Sequence, residues 1–324
     1  MSDLSALYRV DFVMRVLVTG ANGFVGGYLC RDLCRQGYKV VAAVRSANIQ
    51  VDDYELAVIG SIDIETDWSL ALINVDVVVH LAARVHVMHD TAVDSLTEFR
   101  KVNVEGTLNL AMQAAKAGAK RFIFISTIGV NGNATDFDNP FTEENLPRPH
   151  DPYSVSKLEA EQGLHKLADE VGLEIVIIRP PLVYGSGAPG NFGRIINVLQ
   201  RHMPLPLGAI HNKRSFVFVG NLVSLILRCI EHPAAVNEIF LVADGRDIST
   251  TELFQGCALA LGVKVWLVPV PQTLLKLGAY LLGKRDLSQR LCGNLQVDIT
   301  KARILLDWTP PISVPDGLKA TARN

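Results

Sequence analysis

TGANGFVGGYL, residues 19–29, carries the strongest structural signal in this chain. Gly20, Gly23 and Gly26 form a G-x-x-G-x-x-G pattern between an apolar β-branched run and a predicted helix over 24–36. The missing side chains let the backbone turn tightly, and free N–H groups at the positive end of the helix dipole suit a pyrophosphate. A turn needed only for strand and helix packing would use the same glycines. The flanking strand and helix favour a dinucleotide-binding turn.

Short β-branched runs alternate with helical patterns through the first half of the chain. The predicted elements are strands in RVLVTG (15–20), KVVAAV (39–44), ELAVIG (55–60), VDVVVHLA (75–82), RFIFIST (121–127) and EIVIIRP (174–180), and helices over 24–36, 95–117 and 153–171. Strands that are apolar on both faces and joined by helical crossovers indicate a parallel sheet covered on both sides. We therefore predict an α/β fold of the Rossmann type, with a doubly wound parallel sheet.

Beyond Pro180 the sequence becomes rich in proline and glycine, which predicts a smaller, loop-rich C-terminal lobe. The run SFVFVGNLVSLILRCIEH (215–232) and the EIFLVADG that follows it are typical of strand, helix and strand, so the chain is expected to return to the large domain. The predicted division is a Rossmann domain of 14–180 plus 215–243, a lobe of 181–214 plus 244–321, and a frayed extension of 1–13.

Composition and charge exclude several functions. The 324 residues are 49% hydrophobic and carry a formal charge of −2, which creates no field that would attract nucleic acid or anionic lipid. The five cysteines lack the paired spacing of zinc or redox sites, so no metal is expected. Residues 1–13 do not resemble a signal peptide, and the apolar stretch 263–283 is interrupted by proline, lysine and glycine. We read that stretch as a strand, a turn and a core helix, and predict a cytoplasmic protein without membrane contact.

The end of the second predicted strand bears on the choice of dinucleotide. An acidic side chain at this place bonds the ribose hydroxyls of NAD, but this chain has Val44 and Arg45 there. An arginine suits a 2′-phosphate, although it can also stack on adenine. Among NAD and NADP, the sequence therefore favours NADP.

YSVSK, residues 153–157, places a tyrosine and a lysine four positions apart on one face of a predicted helix. A free tyrosine has a pKa of ~10, and a nearby ammonium group lowers it. Tyr153 could then exchange a proton with a hydroxyl or ketone while hydride moves at the same carbon. Such pairs also occur by chance on helix surfaces. Ser126 and Thr127 favour catalysis, because they end a buried parallel strand where open sheets bind ligands.

These motifs, in this order, resemble the extended short-chain dehydrogenase/reductases that act on nucleotide sugars. The resemblance rests on TGANGFVG, HLAA (80–83), KVNVEGTLNL (101–110), IST, YSVSK, IIRPPLVYGSG (177–187), RSFVFVGNLV (214–223) and VDITKARILLDWTP (297–310). It implies that Thr127 (or Ser126), Tyr153 and Lys157 are catalytic, and that Asn103 orders the active-site backbone or a water molecule. The cofactor-binding residues that it implies are Gly20, Asn22, Gly23, Phe24, Val25, Gly26, Arg45, Leu81, Ala82, Ala83, Asn103, Tyr153, Lys157 and Pro180.

The same resemblance implies a UDP-sugar substrate held in the smaller lobe. The implied substrate-binding residues are Val85, Thr127, Tyr153, Asn191, Leu207, Arg214 and Leu295. Arg214 suits the diphosphate because a guanidinium binds phosphate oxygens in a bidentate manner. Arg214 as a surface charge and Asn191 as a helix cap are the plainer alternatives.

The sequence limits which of the family's reactions are expected. Dehydratases of this family carry two acidic residues after the catalytic threonine, and this chain has Ile128 and Gly129 there. Epimerase and 4-ketoreductase stay open, because both use the same hydride and proton transfer. LAARVHVM resembles the bacterial UDP-N-acetylquinovosamine dehydrogenases, whose substrate is a 6-deoxy sugar, and the apolar Val85 and Val87 suit such a sugar. Leu295 stands where UDP-glucose-restricted epimerases have a bulky tyrosine, and so leaves room for an N-acetyl group.

The predicted function is therefore NAD(P)-dependent oxidoreduction at C4 of a UDP-sugar, as a 4-ketoreductase or 4-epimerase of a UDP-N-acetylhexosamine for surface polysaccharide synthesis. Three alternatives remain: a UDP-glucose/galactose 4-epimerase, a non-catalytic NADP-sensing protein, and a reductase of steroid-like ketones. The family resemblance also implies a homodimer, in which the helices over 95–117 and 153–171 form a four-helix bundle.

Overall fold

The structure is a computed structural model, and it describes most of the chain. The described residues are 13–47, 54–85, 94–188, 191–201 and 203–322. The predicted frayed extension, apart from Val13, and Val87 lie outside the described residues.

A seven-stranded, wholly parallel sheet forms the centre of the fold, in the order β3-β2-β1-β4-β5-β6-β9. Its strands are β1 (Arg15–Thr19), β2 (Lys39–Val44), β3 (Glu55–Val58), β4 (Val77–His80), β5 (Arg121–Ile125), β6 (Glu174–Arg179) and β9 (Ile239–Leu241). Alternate residues of β1 enter opposite apolar clusters: Val16 and Val18 pack on one face of the sheet, and Leu17 packs on the other. Both faces are buried, which confirms the predicted doubly wound α/β fold.

The helices that flank the sheet follow the predicted pattern closely. They are α1 (Phe24–Arg35), α2 (Ser95–Arg100), α3 (Thr107–Lys116), α4 (Pro152–Val171) and α6 (Val219–Glu231). A π-helical segment, Lys101–Gly106, joins α2 to α3, so the helix predicted over 95–117 has a wider middle turn. Asp151 caps α4 by accepting a hydrogen bond from the backbone N–H of Ser154 at 2.7 Å, and Gly172 ends it in the left-handed conformation.

The second half of the chain returns to the sheet only in part. Helix α6 packs against α1, and β9 joins the sheet beside β6. The intervening β8 (Phe216–Phe218) instead pairs with β7 (Leu182–Tyr184) in a separate two-stranded sheet. The predicted strand in 215–232 therefore exists, but it does not belong to the large sheet. The division of the chain into two lobes stays a prediction.

The other helices of this half are α5 (Asn191–Gln200), α7 (Thr250–Leu261), α8 (Gln272–Leu281), α9 (Arg285–Cys292), α10 (Thr300–Leu306) and α11 (Val314–Thr321). The core helix expected in 263–283 forms as α8, but none of its residues is buried, so that part of the prediction was wrong. The expected strand shrinks to a single bridge between Leu205 and Leu267. Pro269 and Pro271 explain this, because proline has no N–H to donate to a ladder. No helix within the described ranges is long and apolar enough to cross a membrane.

Candidate dinucleotide and sugar site

The turn between β1 and α1 requires glycine for steric reasons. Gly20 has φ +67°, and a Cβ there would lie 3.0 Å from the backbone nitrogen of Ala82. A Cβ on Gly26 would lie 2.2 Å from the carbonyl oxygen of Gly20, so α1 starts directly against the turn. Gly23 is the N-cap, and no side chain of the described chain caps α1. The first backbone N–H groups of α1 are therefore available to donate hydrogen bonds to the pyrophosphate of a dinucleotide.

His80, at the end of β4, belongs to a buried chain of hydrogen bonds. The Thr107 hydroxyl donates to the carbonyl oxygen of Asn103 at 2.8 Å, so it must accept from His80 Nε2, which lies 3.0 Å away. His80 Nδ1 then accepts from the Thr19 hydroxyl at 2.7 Å, and Thr19 Oγ1 accepts from the backbone N–H of Ala82 at 3.1 Å. Burial, with a smaller contribution from the Lys157 charge, lowers the pKa of His80 to about 3. His80 is thus a neutral structural residue that fixes the end of the strand.

Asn103 connects the end of β4 to α4. Its Oδ1 accepts from the backbone N–H of Arg84 at 2.9 Å, and its Nδ2 donates to the carbonyl oxygen of Arg84 at 3.1 Å. Nδ2 also donates to Ser156 Oγ at 3.0 Å, and the Ser156 hydroxyl donates to the carbonyl oxygen of Tyr153 at 2.7 Å. Asn103 lies in the π-helical segment, a geometry that often marks functional sites. These contacts hold the backbone of Arg84 and, through Ser156, the first turn of α4, while the role of Asn103 at an active site stays a prediction.

Thr127 and Ser126 follow β5 and have different surroundings. Thr127 is half-buried, and its Oγ1 accepts from the backbone N–H of Gly129 at 3.1 Å. Ser126 is buried, and its hydroxyl has no hydrogen-bond partner among the described residues. A Cβ at Gly129 would lie 2.4 Å from Ser154 Oγ and 3.4 Å from Thr127 Oγ1, so Thr127 lies close to the first turn of α4. A side chain at position 129, such as a dehydratase acid, would have to displace the Ser154 hydroxyl.

Lys157 is fully buried beneath the end of β5. Its Nζ donates to the carbonyl oxygen of Ile125 at 2.8 Å and lies 4.2 Å from the centre of the Phe124 ring. Burial lowers the pKa of Lys157 to about 7, and the charge of Glu161, one turn further along α4, opposes that shift. The lysine therefore joins α4 to the strand that carries Thr127.

Tyr153 lies one turn before Lys157, with its ring edge-on to Phe99 at a centroid distance of 6.1 Å. Burial raises its pKa above the usual value, and the negative charge of Asp151 adds to that shift. We expected a neighbouring ammonium to lower this pKa. That expectation was wrong for the protein chain by itself, because burial of the phenol and the charge of Asp151 both raise its pKa.

Arg214 and Arg290 both belong to the second half of the chain, and only Arg214 was predicted. Arg214 is half-buried and donates to the carbonyl oxygen of Gly293 at 3.1 Å. Burial lowers its pKa, and the positive charge of Arg290 on α9 lowers it further. Gly293, the partner of Arg214, lies three residues beyond Arg290 along the chain, so the two arginines belong to the same region. Within the described chain, no carboxylate forms an ion pair with either. A diphosphate would supply the negative charge that neutralises two guanidinium groups.

Arg290 was not predicted from the sequence, because Arg214 is 76 residues away from it along the chain. The only available signal was a basic residue in the RDLSQRLC segment, and that segment has no recognisable motif.

The remaining predicted residues differ in burial. Arg45, Asn22 and Val85 are exposed, and Leu81, Ala82, Ala83, Phe24 and Val25 are half-buried around the turn and the end of β4. Pro180 is buried, and its carbonyl oxygen accepts from the backbone N–H of Ile128 at 2.9 Å. Leu207 and Leu295 are buried in apolar clusters, so as substrate contacts they stay predictions. Asn191 begins α5, and its side chain is not described.

A glycine turn between β1 and α1, a parallel sheet and a Thr-Tyr-Lys set at its carboxyl edge define a dinucleotide-dependent oxidoreductase. Residues 16–243 match the NAD dependent epimerase/dehydratase family, and the chain belongs to that family. It is therefore an NAD(P)-dependent nucleotide-sugar enzyme of the extended short-chain dehydrogenase/reductase class, as the motifs predicted.

Relatives extend over nearly the whole chain. The UDP-glucose 4-epimerase of Vibrio cholerae is 47% identical over 310 residues, which cover 95% of this chain and 94% of the relative. The N-acetyl-α-D-glucosaminyl-diphospho-ditrans,octacis-undecaprenol 4-epimerase of Escherichia coli O157:H7 is 29% identical, covering 94% and 93%. The crystal structure of Thermotoga maritima UDP-glucose 4-epimerase with UDP-glucose superposes with a TM-score of 0.76, at 27% identity, and covers 95% of this chain and 97% of that one.

Proposed function

We propose that the protein inverts the configuration at C4 of a UDP-hexose by reversible oxidation. The observation that carries this proposal is the attachment of α4, which bears Tyr153 and Lys157, to the end of β5 that leads into Thr127, with no acid at positions 128 and 129. The 47% identity to a UDP-glucose 4-epimerase supports epimerisation over reduction alone.

The chain's own residues hold and move the proton in this reaction. When bound, NAD(P) would accept the hydride from C4 and give it back to the opposite face of the sugar. Thr127 Oγ1 binds the O4 hydroxyl, and the Tyr153 phenolate accepts its proton as the C4–H bond breaks. The same phenol returns the proton to O4 when the C–H bond forms again, so no proton is gained or lost overall.

Tyr153 needs a positive environment for this role, because burial raises its pKa. Lys157 is the cation within the chain that lies one helical turn away, and its own pKa of about 7 keeps part of it charged at neutral pH. Its bond to Ile125 holds α4 against β5, so that Tyr153 and Thr127 can share one substrate oxygen.

Arg214 and Arg290 are proposed to bind the UDP diphosphate. Their mutual repulsion is relieved by an anion, and neither is neutralised by a carboxylate in the described chain. Gly293, whose carbonyl oxygen holds Arg214, directly precedes the strand-like segment that contains Leu295. An N-acetylated sugar is the finer proposal, and it rests on Leu295 where a tyrosine would restrict the pocket.

NADP is the proposed dinucleotide. Arg45 is exposed at the carboxyl end of β2, next to β1, where the adenosine ribose of a dinucleotide lies in this fold. Tighter binding of NADPH than of NADH, lost in Arg45→Ala, is the expected result of a fluorescence titration; equal binding in the wild type would exclude this proposal.

The reaction is tested by incubating the purified full chain with UDP-glucose, and separately with UDP-N-acetylglucosamine, and following C4 inversion by NMR. Product formed without added cofactor supports an epimerase that retains its dinucleotide. A third arm contains the 4-keto-6-deoxy derivative of UDP-N-acetylglucosamine with NADPH. Turnover in that arm alone would replace the epimerase by a 4-ketoreductase.

A homodimer is proposed from the family resemblance, through the outer faces of α3 and α4. These helices already pack together, with Leu108 placed so tightly that a Cβ on Gly163 would lie 2.8 Å from its side chain. Light scattering at micromolar concentration tests this, and a monomer would contradict it.

A further inference from the structure

Helices α8 and α9 present an apolar outer face to solvent. This α8–α9 face is defined by six side chains that are each 51–74% exposed: Leu274, Leu277, Tyr280, Leu281, Leu282 and Leu287. Leu274, Leu277 and Leu281 are spaced three and four apart, so they lie on one side of α8. Contiguous exposed apolar surface of this kind marks a site of interaction.

The fold does not need this outer face. Leu275 on α8 and Leu291 on α9 already pack against the apolar cluster of the smaller lobe. The inner side of each helix therefore accounts for its attachment to the protein. None of the described elements covers the outer leucines. Their burial therefore contributes little to the stability of the isolated chain.

Basic residues lie among these apolar side chains. Lys276, Lys284 and Arg290 are exposed, and Lys264 is exposed on the segment before α8. Residues 263–293 contain five lysine or arginine residues and a single acid, Asp286, in a chain whose formal charge is −2. The segment is thus a local basic patch that the overall charge conceals.

We propose that the α8–α9 face docks onto the surface of an anionic lipid bilayer. Leucine and tyrosine side chains can enter the boundary between headgroups and acyl chains, while lysine and arginine side chains reach back to the lipid phosphates. A second copy of the same face is a poorer occupant, because it would bring like charges together. On this proposal the protein does contact a membrane, contrary to the expectation drawn from its net charge.

Docking also sets the orientation of the smaller lobe. Arg290 lies on α9 and neighbours Arg214. If the proposed function holds, the diphosphate end of the sugar site lies beside the bilayer. The docking itself can be measured without any nucleotide sugar, so the two proposals fail separately.

The experiment is flotation of the full-length protein with vesicles of phosphatidylcholine alone or of phosphatidylcholine with phosphatidylglycerol. The wild type should float only with the anionic vesicles and be released by salt. Leu277→Glu combined with Leu281→Glu should lower the partition coefficient by about tenfold or more, and Lys276→Glu combined with Lys284→Glu should lower it comparably. Leu70→Glu is the matched control, because Leu70 is 80% exposed on another part of the protein. It should float like the wild type.

Thermal unfolding and turnover of a soluble UDP-sugar verify that the variants are folded, since neither leucine belongs to the proposed active site. Absence of wild-type flotation with anionic vesicles would overturn the proposal. Equal flotation of the Leu277→Glu, Leu281→Glu variant would do so as well. If the wild type ignores vesicles and this variant forms a smaller particle in light scattering, the face is a contact between subunits instead.

Discussion

Lys157 Nζ donates a hydrogen bond of 2.8 Å to the carbonyl oxygen of Ile125, the last residue of β5. This bond ties the first half of α4 to the strand that leads directly into Ser126 and Thr127. Burial removes the amine from water, so the charged form of Lys157 costs free energy in the folded protein. That cost depends on pH.

Lys157→Met should change how stability depends on pH. The pKa of Lys157 is lowered to about 7 in the folded protein, against 10.5 for the free side chain. Between these values the unfolded chain binds a proton that the folded protein does not, so the wild-type free energy of unfolding should rise with pH by up to about 1.4 kcal/mol per unit. Below pH 7 both states are protonated and the burial penalty is complete.

The measurement is urea denaturation from pH 6 to 9. Lys157→Met should lack this rise, while Lys166→Met, at an exposed position of α4, should retain it. Parallel curves for the wild type and Lys157→Met would show that the buried amine does not titrate in this range.

Tyr153→Phe should lower turnover by about three orders of magnitude, because no other group in the described chain takes its place as proton acceptor. The ring should still pack edge-on against Phe99, so thermal stability and NAD(P) binding should remain near the wild type. Tyr280→Phe, at a 54% exposed tyrosine, is the control and should be fully active. Substantial activity in Tyr153→Phe removes this residue from the mechanism.

Gly26→Ala and Gly27→Ala should behave very differently although the residues are adjacent in α1. A Cβ at Gly26 would lie 2.2 Å from the carbonyl oxygen of Gly20, whereas the nearest atom to a Cβ at Gly27 is 3.9 Å away. Gly26→Ala should therefore displace the turn and abolish NADPH binding in a fluorescence titration. Gly27→Ala should bind normally and gain about 0.5–1 kcal/mol of stability from the helix interior. Normal binding by Gly26→Ala would contradict the proposed location of the pyrophosphate.

His80 should stay neutral, with its proton on Nε2, between pH 5 and 8. Burial lowers its pKa to about 3, whereas the unfolded chain binds a proton near 6.5. Its contribution to stability is thus complete above pH 6.5 and falls by about 1.4 kcal/mol per unit as the pH decreases toward 3. Nitrogen-15 NMR of the imidazole ring reports the tautomer directly. A protonated ring at pH 5.5 would refute the hydrogen-bond chain assigned here.

Arg214→Ala and Arg290→Ala should each raise KM for the UDP-sugar by about tenfold to a hundredfold and change kcat much less, because they bind a part of the substrate that does not react. The double variant should lose less than the sum of the two, since the arginines share one anion. Arg246→Ala, whose side chain is exposed, is the control. An unchanged KM in Arg290→Ala would place the diphosphate elsewhere.

Much of the large domain was predictable because its signals are local. β2 (Lys39–Val44) matches the predicted run residue for residue, and α4 begins within one residue of the prediction, since Asp151 and Pro152 form a cap and first turn. The glycine turn between β1 and α1 was predicted from the sequence equally well. The steric contacts that require Gly23 and Gly26 lie within seven residues of chain, at Gly20 and Ala21, whereas Gly20 also meets the distant backbone of Ala82.

The amino-acid order alone thus specified the parallel sheet, the phosphate-binding turn and the Tyr-Lys pair, because each follows from periodicity, capping or steric demands among near neighbours. Packing between distant segments settled the rest: the raised pKa of Tyr153, the meeting of Arg214 with Arg290, and the exposure of α8. Solvent exclusion, charge proximity and the covering of a helix depend on residues that become neighbours only when the chain has folded. Local pattern does not contain that information.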